Sequence, residues 1–292
     1  MPKVYIIVLN YQSYEDTINY VKLLQSQKNI NLNILVVDND SPNDSYQYLK
    51  DKLKEIKNVE VVKSKKNGGY AYGNNFGLRY IQNKDFDFVI ISNNDILIDN
   101  EYLIYKLTQV YNKLKSVAFI SPLMKVNNKI SSSIAWDIPT ISDDILSSLR
   151  IFKFLKRKKD KYNFKTDEKF ERVECLPGSF FMSKKQVFYD IELFDENTFL
   201  YGEERILAVK IKERGLHNYL IKNLEYEHLV SKTISRNLNL NKMQMYLINS
   251  RVYFHENYTS SSRISIKLLK LLFEIWKIET YFYLKIRSFL DK

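Results

Sequence analysis

Asn33-Ile34-Leu35-Val36-Val37-Asp38-Asn39-Asp40-Ser41 is an apolar run that stops at a cluster of polar side chains. A short run rich in Val and Ile, closed by turn residues, reads as a buried strand. The pattern recurs: Val4–Leu9 stops at Asn10, and Asp87–Ser92 stops at Asn93-Asn94-Asp95. Val59–Lys63 and Val117–Ser121 add two more strands. Helix-length segments separate the runs, at Tyr14–Gln27, Asp44–Lys57, Tyr70–Asn83 and Glu101–Lys113. This alternation predicts an α/β fold, Rossmann-like, with a mixed, mostly parallel sheet flanked by helices. Such sheets bind ligands at the carboxyl ends of their strands. Three polar clusters at three strand ends therefore point to one shared site, although Asn and Asp also cap helices and make turns.

Composition narrows the class. The chain has 292 residues, 45% of them apolar, enough for a large core and too many for disorder. Seven Gly and five Pro exclude collagen-like and low-complexity chains. One cysteine, Cys175, excludes an internal disulfide and a Cys-rich zinc site, and suits a reducing cytoplasm. No apolar run is long enough to span a bilayer, and Val4–Leu9 is too short for a signal-peptide core, so no export signal is expected. The net charge of +11 predicts a polyanionic partner: nucleic acid, nucleotide phosphates or an acidic membrane face. The 22 Tyr and 17 Phe suit either single-stranded nucleic acid or a membrane interface.

Beyond the first 122 residues the pattern changes. Residues 131–172 are polar and then strongly basic at Lys153–Lys161, and read as a mobile insertion or loop. Val173–Met182 reads as a strand interrupted by Pro177-Gly178, followed by a short helix at Lys184–Tyr189 and a helix at Glu203–Arg214 with Gly215 as its stop. Tyr219–Ile221 and Tyr226–Leu229 read as short strands, and Leu240–Glu256 and Ile264–Leu290 as closing helices. The division expected is a catalytic domain over 1–230 and a basic, amphipathic helical region over 231–292. The last helix suits a membrane headgroup layer, a second subunit or the domain itself.

Five motifs carry candidate chemistry. Asp38, with Asn39, can accept hydrogen bonds from a ribose or a base. Asn67-Gly68-Gly69-Tyr70-Ala71-Tyr72-Gly73-Asn74-Asn75-Phe76-Gly77 offers either close backbone approach to a ligand or a tight turn with close helix packing. It is neither a phosphate-binding P-loop nor a dinucleotide fingerprint. Asn93-Asn94-Asp95 delivers an acid to the strand end, where a hard cation on a diphosphate finds its oxygen ligand. Glu203 and Glu204 open a helix whose dipole favours their charge, and a partly buried acid there suits a general base; helix starts are also often acidic. His228 is one of three histidines, and a lone His is more often structural than a ligand.

The order of these motifs resembles the family 2 glycosyltransferases, which have a GT-A fold, and in particular the rhamnosyltransferase and galactofuranosyltransferase branch of bacterial surface polysaccharide synthesis. The residues that carry the resemblance are Val8-Leu9-Asn10-Tyr11, Asp38-Asn39-Asp40-Ser41, the Asn67–Gly77 loop, Asn93-Asn94-Asp95, Pro177-Gly178-Ser179-Phe180-Phe181, and Phe194-Asp195-Glu196 through Tyr201-Gly202-Glu203-Glu204, ending at His228. The resemblance implies that Asp38, with Asn10 and Asn39, binds the nucleotide, and that Gly68, Gly69, Asn74, Asn75 and Asn94 line the nucleotide and donor sugar. It implies Asp95 and His228 as contacts of a Mg²⁺ or Mn²⁺ ion. It places the catalytic base at Glu204, with Glu203 in support, in an inverting single displacement. Acceptors in this branch are often lipid-linked saccharides, which would put the protein in the cytoplasm, at the inner membrane face, and give Lys153–Lys161 and the last helix a membrane to meet.

The departures are specific. Asn93 replaces the first acid of the family's Asp-x-Asp, Glu204 stands where Asp is usual, and Ile206 and Lys210 replace a later acid and Arg. The Gln-x-x-Arg-Trp motif of processive members is absent, so one sugar per encounter is expected. Three other readings remain at this stage: an inactive family member, a sugar-phosphate nucleotidyltransferase, and a basic nucleic-acid-binding protein. The second lacks its glycine loop after the first strand, and the third leaves Asp95 and Glu203-Glu204 unexplained.

Overall fold

A computed structural model describes residues 1–148, 168–229 and 240–290, with the backbone alone for Leu240 and 281–290. The basic run Lys153–Lys161 lies outside the described residues. The first half is built from β1 (Lys3–Asn10), α1 (Tyr14–Leu24), β2 (Asn31–Asp38), α2 (Ser45–Leu53), β3 (Val59–Lys63), α3 (Gly69–Ile81), β4 (Phe88–Asn93), β5 (Ile96–Leu97), α4 (Leu103–Tyr111) and β6 (Val117–Val126). β7 (Lys129–Ile130), α5 (Ile141–Ser148), β8 (Phe170–Val173), β9 (Phe180–Lys184), α6 (Lys185–Asp190), α7 (Glu203–Glu213) and β10 (His217–His228) follow. Two further helices, α8 (Leu240–Asn257) and α9 (Arg263–Leu290), close the chain.

One mixed sheet runs β3-β2-β1-β4-β9-β6-β10-β5, with β7 on β6 and β8 on β10. β3, β2, β1 and β4 are parallel, as are β6 and β10; β9 is antiparallel to both β4 and β6. Ile6, Ile7, Val8, Ile34–Val37 and Val89–Ile91 have no exposed surface, as expected for central strands covered on both faces. β2 and β3 leave β1 on one side and β4 lies on the other, so the strand order reverses between β1 and β4. Register brings the polar ends together there. Asn10 pairs with Asp38, and Leu9 with Asn93.

Glycine sets how closely α3 lies on this sheet. A Cβ on Gly73 would stand 2.4 Å from Leu9 Cδ1, and one on Gly77 would stand 2.9 Å from Ile7 Cγ2. Packing against β1 and β2, rather than approach to a ligand, accounts for those two glycines.

Two expectations are corrected and a third, the interruption at Pro177-Gly178, is refined. Residues 131–172 are not simply a loop: they hold α5 and part of β8. A reciprocal cap starts α5, with the Asp143 amide donating to Thr140 Oγ1 and the Thr140 amide and hydroxyl donating to Asp143. The two strands at Tyr219–Ile221 and Tyr226–Leu229 are one, β10. Its register against β6 shifts between Ile221 and Glu225, opposite Pro122, which has no N–H to continue the ladder. Val173–Met182 is split between β8 and β9, with the Pro177-Gly178-Ser179 turn between them. The predicted stop at Gly215 holds: the Leu216 amide reaches Ile211 O and the Gly215 amide reaches Lys212 O.

Candidate active site

The strand-end residues form one hydrogen-bond network. Asn94 Nδ2 donates to Ser13 Oγ at 2.7 Å and to Thr17 Oγ1 at 2.8 Å. Thr17 donates to Asn10 Oδ1 at 2.8 Å, and Asn10 Nδ2 donates to Asp38 Oδ2 at 2.7 Å. Asp38 also accepts from the Ser41 hydroxyl and amide, and Ser41 Oγ accepts from the Gln12 amide. Asn39 donates to Asn67 and Gly69 O and accepts from Ser64, which joins the glycine loop to the same floor. Thr17 is the link that sequence reading missed. It sits inside a helix with no motif around it, and its contact with Asn10 comes only from the way α1 folds back on the end of β1.

Burial changes what some of these residues can do. Asn10 and Asp38 are fully buried, with the Asp38 oxygens already accepting from protein donors. They hold the backbone of residues 10–13 and 38–41 in place. In that backbone Gln12 (φ 61°) and Asp40 (φ 55°) adopt the left-handed region, a strained choice typical of sites. Asn75 lies outside the strand-end network. Its amide donates to Phe194 O and Glu196 Oε1 and accepts from the Phe194 amide, so it tethers the segment before α7 instead of facing a donor sugar. Asn74 is buried as well, with Nδ2 on Tyr70 O and Oδ1 unpartnered.

Asp95 and His228, 133 residues apart, meet across the β5–β10 pairing, with His228 Nε2 3.0 Å from Asp95 Oδ1. The Leu229 amide donates to Asp95 O and closes the same corner. A carboxylate oxygen beside an imidazole nitrogen can serve a divalent cation such as Mn²⁺, and among the described residues no cluster of three or more His, Cys, Asp or Glu gathers. Such a pair fits a cation that takes its remaining ligands from phosphate oxygens and water.

The Pro177-Gly178-Ser179 turn joins this corner to the acidic pair. The Asn93 amide donates to Ser179 O at 2.8 Å, and Ser179 Oγ lies 2.7 Å from Tyr226 Oη. On its other side, Tyr70 Oη donates to Gly178 O at 2.5 Å, and a Cβ on Gly178 would stand 3.0 Å from Glu204 Oε1. Tyr201 (φ 70°) and Gly202 (φ 90°) are both left-handed and turn the chain sharply into α7. Gly69 (φ 86°) has the same need, since a Cβ there would meet Phe199 O at 1.9 Å.

Glu203 is 5% exposed and its Oε1 has no partner. Burial, then the adjacent Glu204 charge, raises its affinity for a proton. Burial raises Glu204 too, against hydrogen bonds from its own amide and that of Gly178 and the charge of Arg205. Burial and the charges of Glu204 and Glu203 push the Tyr70 phenol well above its usual range. Two neighbouring acids in a poorly solvated place resist ionising together, which favours retention of a proton on the pair. Ile206, where the resemblance would have an acid, is 1% exposed and packs in the interior.

A ten-stranded mixed sheet with acids and an imidazole at one strand-end edge defines an α/β scaffold of the GT-A glycosyltransferase kind. The chain belongs to glycosyl transferase family 2, whose sequence profile matches residues 5–191, more than half of its length. It is 26% identical over 215 residues to the low-salt glycan biosynthesis hexosyltransferase Agl10 of Haloferax volcanii, covering 73% of this chain. The match spans 62% of that relative's length. Among solved structures, it resembles the mannosyltransferase PcManGT of Pyrobaculum calidifontis in complex with GDP-Man and Mn²⁺, with TM-score 0.59 and 13% identity over 94% of this chain and 70% of that one. It also resembles TarS of S. aureus in complex with UDP, with TM-score 0.54 and 16% identity over 91% and 69%. These two likenesses establish the fold.

Proposed function

We propose that this chain is an inverting, non-processive glycosyltransferase that moves one sugar from a nucleoside-diphosphate sugar to a hydroxyl of a saccharide acceptor. The observation that carries this reading is the Pro177-Gly178-Ser179 turn, which contacts Asn93 beside Asp95 on one side and lies against Glu204 on the other. One turn thus joins a corner suited to a cation and diphosphate to an acid suited to proton removal.

Asn10, Asp38 and Asn39 shape the nucleotide floor, with the Asp38 oxygens already accepting from Asn10 and Ser41. Gly68, Gly69 and Asn94 border the donor, while Asn74 and Asn75 support it from behind. Asp95 and His228 would hold the divalent cation. When bound, that cation neutralises charge on the departing diphosphate. Glu204 accepts the acceptor hydroxyl proton as that oxygen attacks the anomeric carbon, and the sugar–phosphate bond breaks on the opposite face. Glu203 keeps the proton affinity of the pair high, which is what a base working near neutrality requires. The hexosyltransferase relative supports a hexose donor; the nucleotides bound by the structural neighbours support GDP and UDP alongside dTDP as candidates.

We place the acceptor on a lipid carrier, with the protein peripheral at the inner membrane face. Among the described residues no helix is long and apolar enough to cross a membrane. Exposed Ile264, Leu268, Leu271, Ile275 and Ile278 recur every three or four residues on α9, with Lys267, Lys270 and Lys277 between them. That apolar stripe edged with lysines suits anionic headgroups. Cosedimentation with anionic vesicles, abolished by Leu268→Glu/Leu271→Glu, tests it; full-length protein left in the supernatant refutes it.

The direct test of the activity is thermal stability against UDP, dTDP, GDP and their sugars, with Mn²⁺ or with EDTA. Ligands that bind the native state raise the melting temperature. A Mn²⁺-dependent rise, absent in Asp95→Ala and His228→Ala, supports the reading and names the nucleotide. No rise with any nucleotide overturns it.

A further inference from the structure

Behind the acidic pair lies a buried charge cluster that the reaction does not use. Asp144, on α5, is 3% exposed. Arg205 Nη1 donates to its Oδ2 at 2.6 Å, and His255 Nε2 lies 2.9 Å from the same oxygen. Arg251 Nε stands 3.5 Å from Oδ1, while Arg251 Nη1 donates to Ser147 Oγ at 2.9 Å. Three separate elements, α5, α7 and α8, thus converge on one carboxylate. The Arg205 guanidinium also lies 5.2 Å over the Phe254 ring of α8. Arg205 follows Glu204 directly in the chain, and its charge is felt at Glu204.

We propose that Asp144 is a positioning residue for the acidic pair: it draws the Arg205 guanidinium onto α8 and leaves Glu203 and Glu204 without a cationic partner. Among the described residues no Lys, Arg or His pairs with either glutamate. The consequence rests on the reading of Glu204 as base, because a guanidinium seated on that carboxylate would lower its basicity and block the acceptor hydroxyl. The geometry itself does not depend on that reading.

The same helix and the residue just past its end brace the chain leading into the pair. Ser250 Oγ donates to Leu200 O at 2.9 Å, Tyr246 stacks on Phe199 with ring centroids 4.4 Å apart, and the Tyr253 and Tyr258 hydroxyls both donate to Asp195 Oδ2. The ionisable groups around the pair are Tyr70 from α3, Cys175 from the segment before the turn, and Tyr201 and Arg205 from its own segment. Around Asp144 they are Arg205, Arg251 and His255, with Asp143 on its own helix.

The test reads the pair directly, without a donor. Protein labelled with ¹³Cδ-glutamate is titrated by NMR, with Glu203→Gln and Glu204→Gln assigning the two signals. In Asp144→Asn the freed Arg205 is expected to move the pair's midpoint down by roughly 1–3 pH units. Asp144→Asn/Arg205→Gln is expected to restore it, a rescue that loss of a merely structural contact does not give. If Asp144→Asn fails to fold, Asp144→Asn/Arg251→Gln frees Arg205 while leaving one buried cation fewer, and the same downward shift is expected. An unchanged midpoint in a folded variant, or no rescue in the double variant, overturns the proposal. Isothermal titration with UDP, GDP and dTDP in Mn²⁺ runs beside it. Wild type that binds none of the three, while Asp144→Asn still shows the shift, leaves the positioning intact and removes the transferase reading instead. Where a donor is turned over, Asp144→Asn is expected to lower kcat with nucleotide affinity within about twofold of wild type.

Discussion

Glu204 shows most clearly how much a single position depends on its surroundings. In sequence it is one of two acids at a helix start, a common occurrence. In the fold its neighbour Glu203 has a buried, unpartnered oxygen, and burial raises the proton affinity of both. Glu204→Gln is expected to cut turnover by about 10²–10⁴-fold while leaving nucleotide affinity unchanged, as single-turnover kinetics and calorimetry would show. The raised affinity also has a stability consequence. The folded chain binds the proton more tightly than the unfolded one, so stability falls as pH rises above the ordinary glutamate value of 4.5. Urea unfolding across pH is expected to show that decline in wild type and its reduction in Glu203→Gln. Of the residues singled out from sequence, Asp95 and His228 lie side by side, with His228 Nε2 3.0 Å from Asp95 Oδ1. Asn75 does not join the strand-end network, because the Phe194 backbone takes up its amide. Nothing local in Gly73-Asn74-Asn75 distinguishes a side chain facing a ligand from one facing a loop 119 residues away.

At the scale of elements, α3 and α5 make opposite cases. The α3 turn was readable because paired glycines announce a special backbone. Its tightest point is Gly69, where an added Cβ would meet the Phe199 carbonyl. Gly69→Ala is therefore expected to push the 197–202 segment away from α3, lowering the melting temperature and the turnover together. The helix α5 is hard to read locally because its eight residues mix three apolar side chains, Ile141, Ile145 and Leu146, with five polar ones and are too few to set an apolar stripe. The Thr140–Asp143 cap was its one local signal, and the rest of its stability comes from partners on α7, α8 and α9. Asp144 is central to that. Burial alone would raise its carboxyl, but the His255 hydrogen bond and the Arg205 and Arg251 charges outweigh it and pull it down to about 2. Its stabilisation is complete above the unfolded aspartate value of 3.8 and is lost as pH falls toward 2. Asp144→Ala, which strands two guanidinium groups, is expected to cost about 3–5 kcal/mol in denaturant unfolding at neutral pH.

Over the whole molecule, the helices after residue 240 are bound into the scaffold that presents the acids. Ile248, Leu269 and Phe273 form a small second core with Ile141 and Ile145, and α8 supplies Ser250 and Tyr253, with Tyr258 just past its end, to the chain before α7. A chain ended at Leu229 is expected to lose cooperative unfolding around α7 and to expose the Glu203–Glu204 segment to proteolysis, which limited trypsinolysis with mass spectrometry would reveal. Truncated protein that melts like the full chain and is cut no faster would contradict this. The same helices offer the exposed stripe of α9, so one face secures the site while the other is open to a surface.

What the sequence determined by itself is the strand-and-helix alternation, the polar strand ends and the order of the motifs, because each is written in neighbouring residues through apolar periodicity and turn chemistry. Only the tertiary structure decided which polar groups are spent on the protein and which remain for chemistry. Asp38 is used by Asn10 and Ser41, Asn75 by Phe194, and Arg205 by Asp144, while Glu203 is left unpartnered. Those pairings span from three to more than a hundred residues, and a hydrogen bond across such distances depends on packing and register that no local pattern encodes.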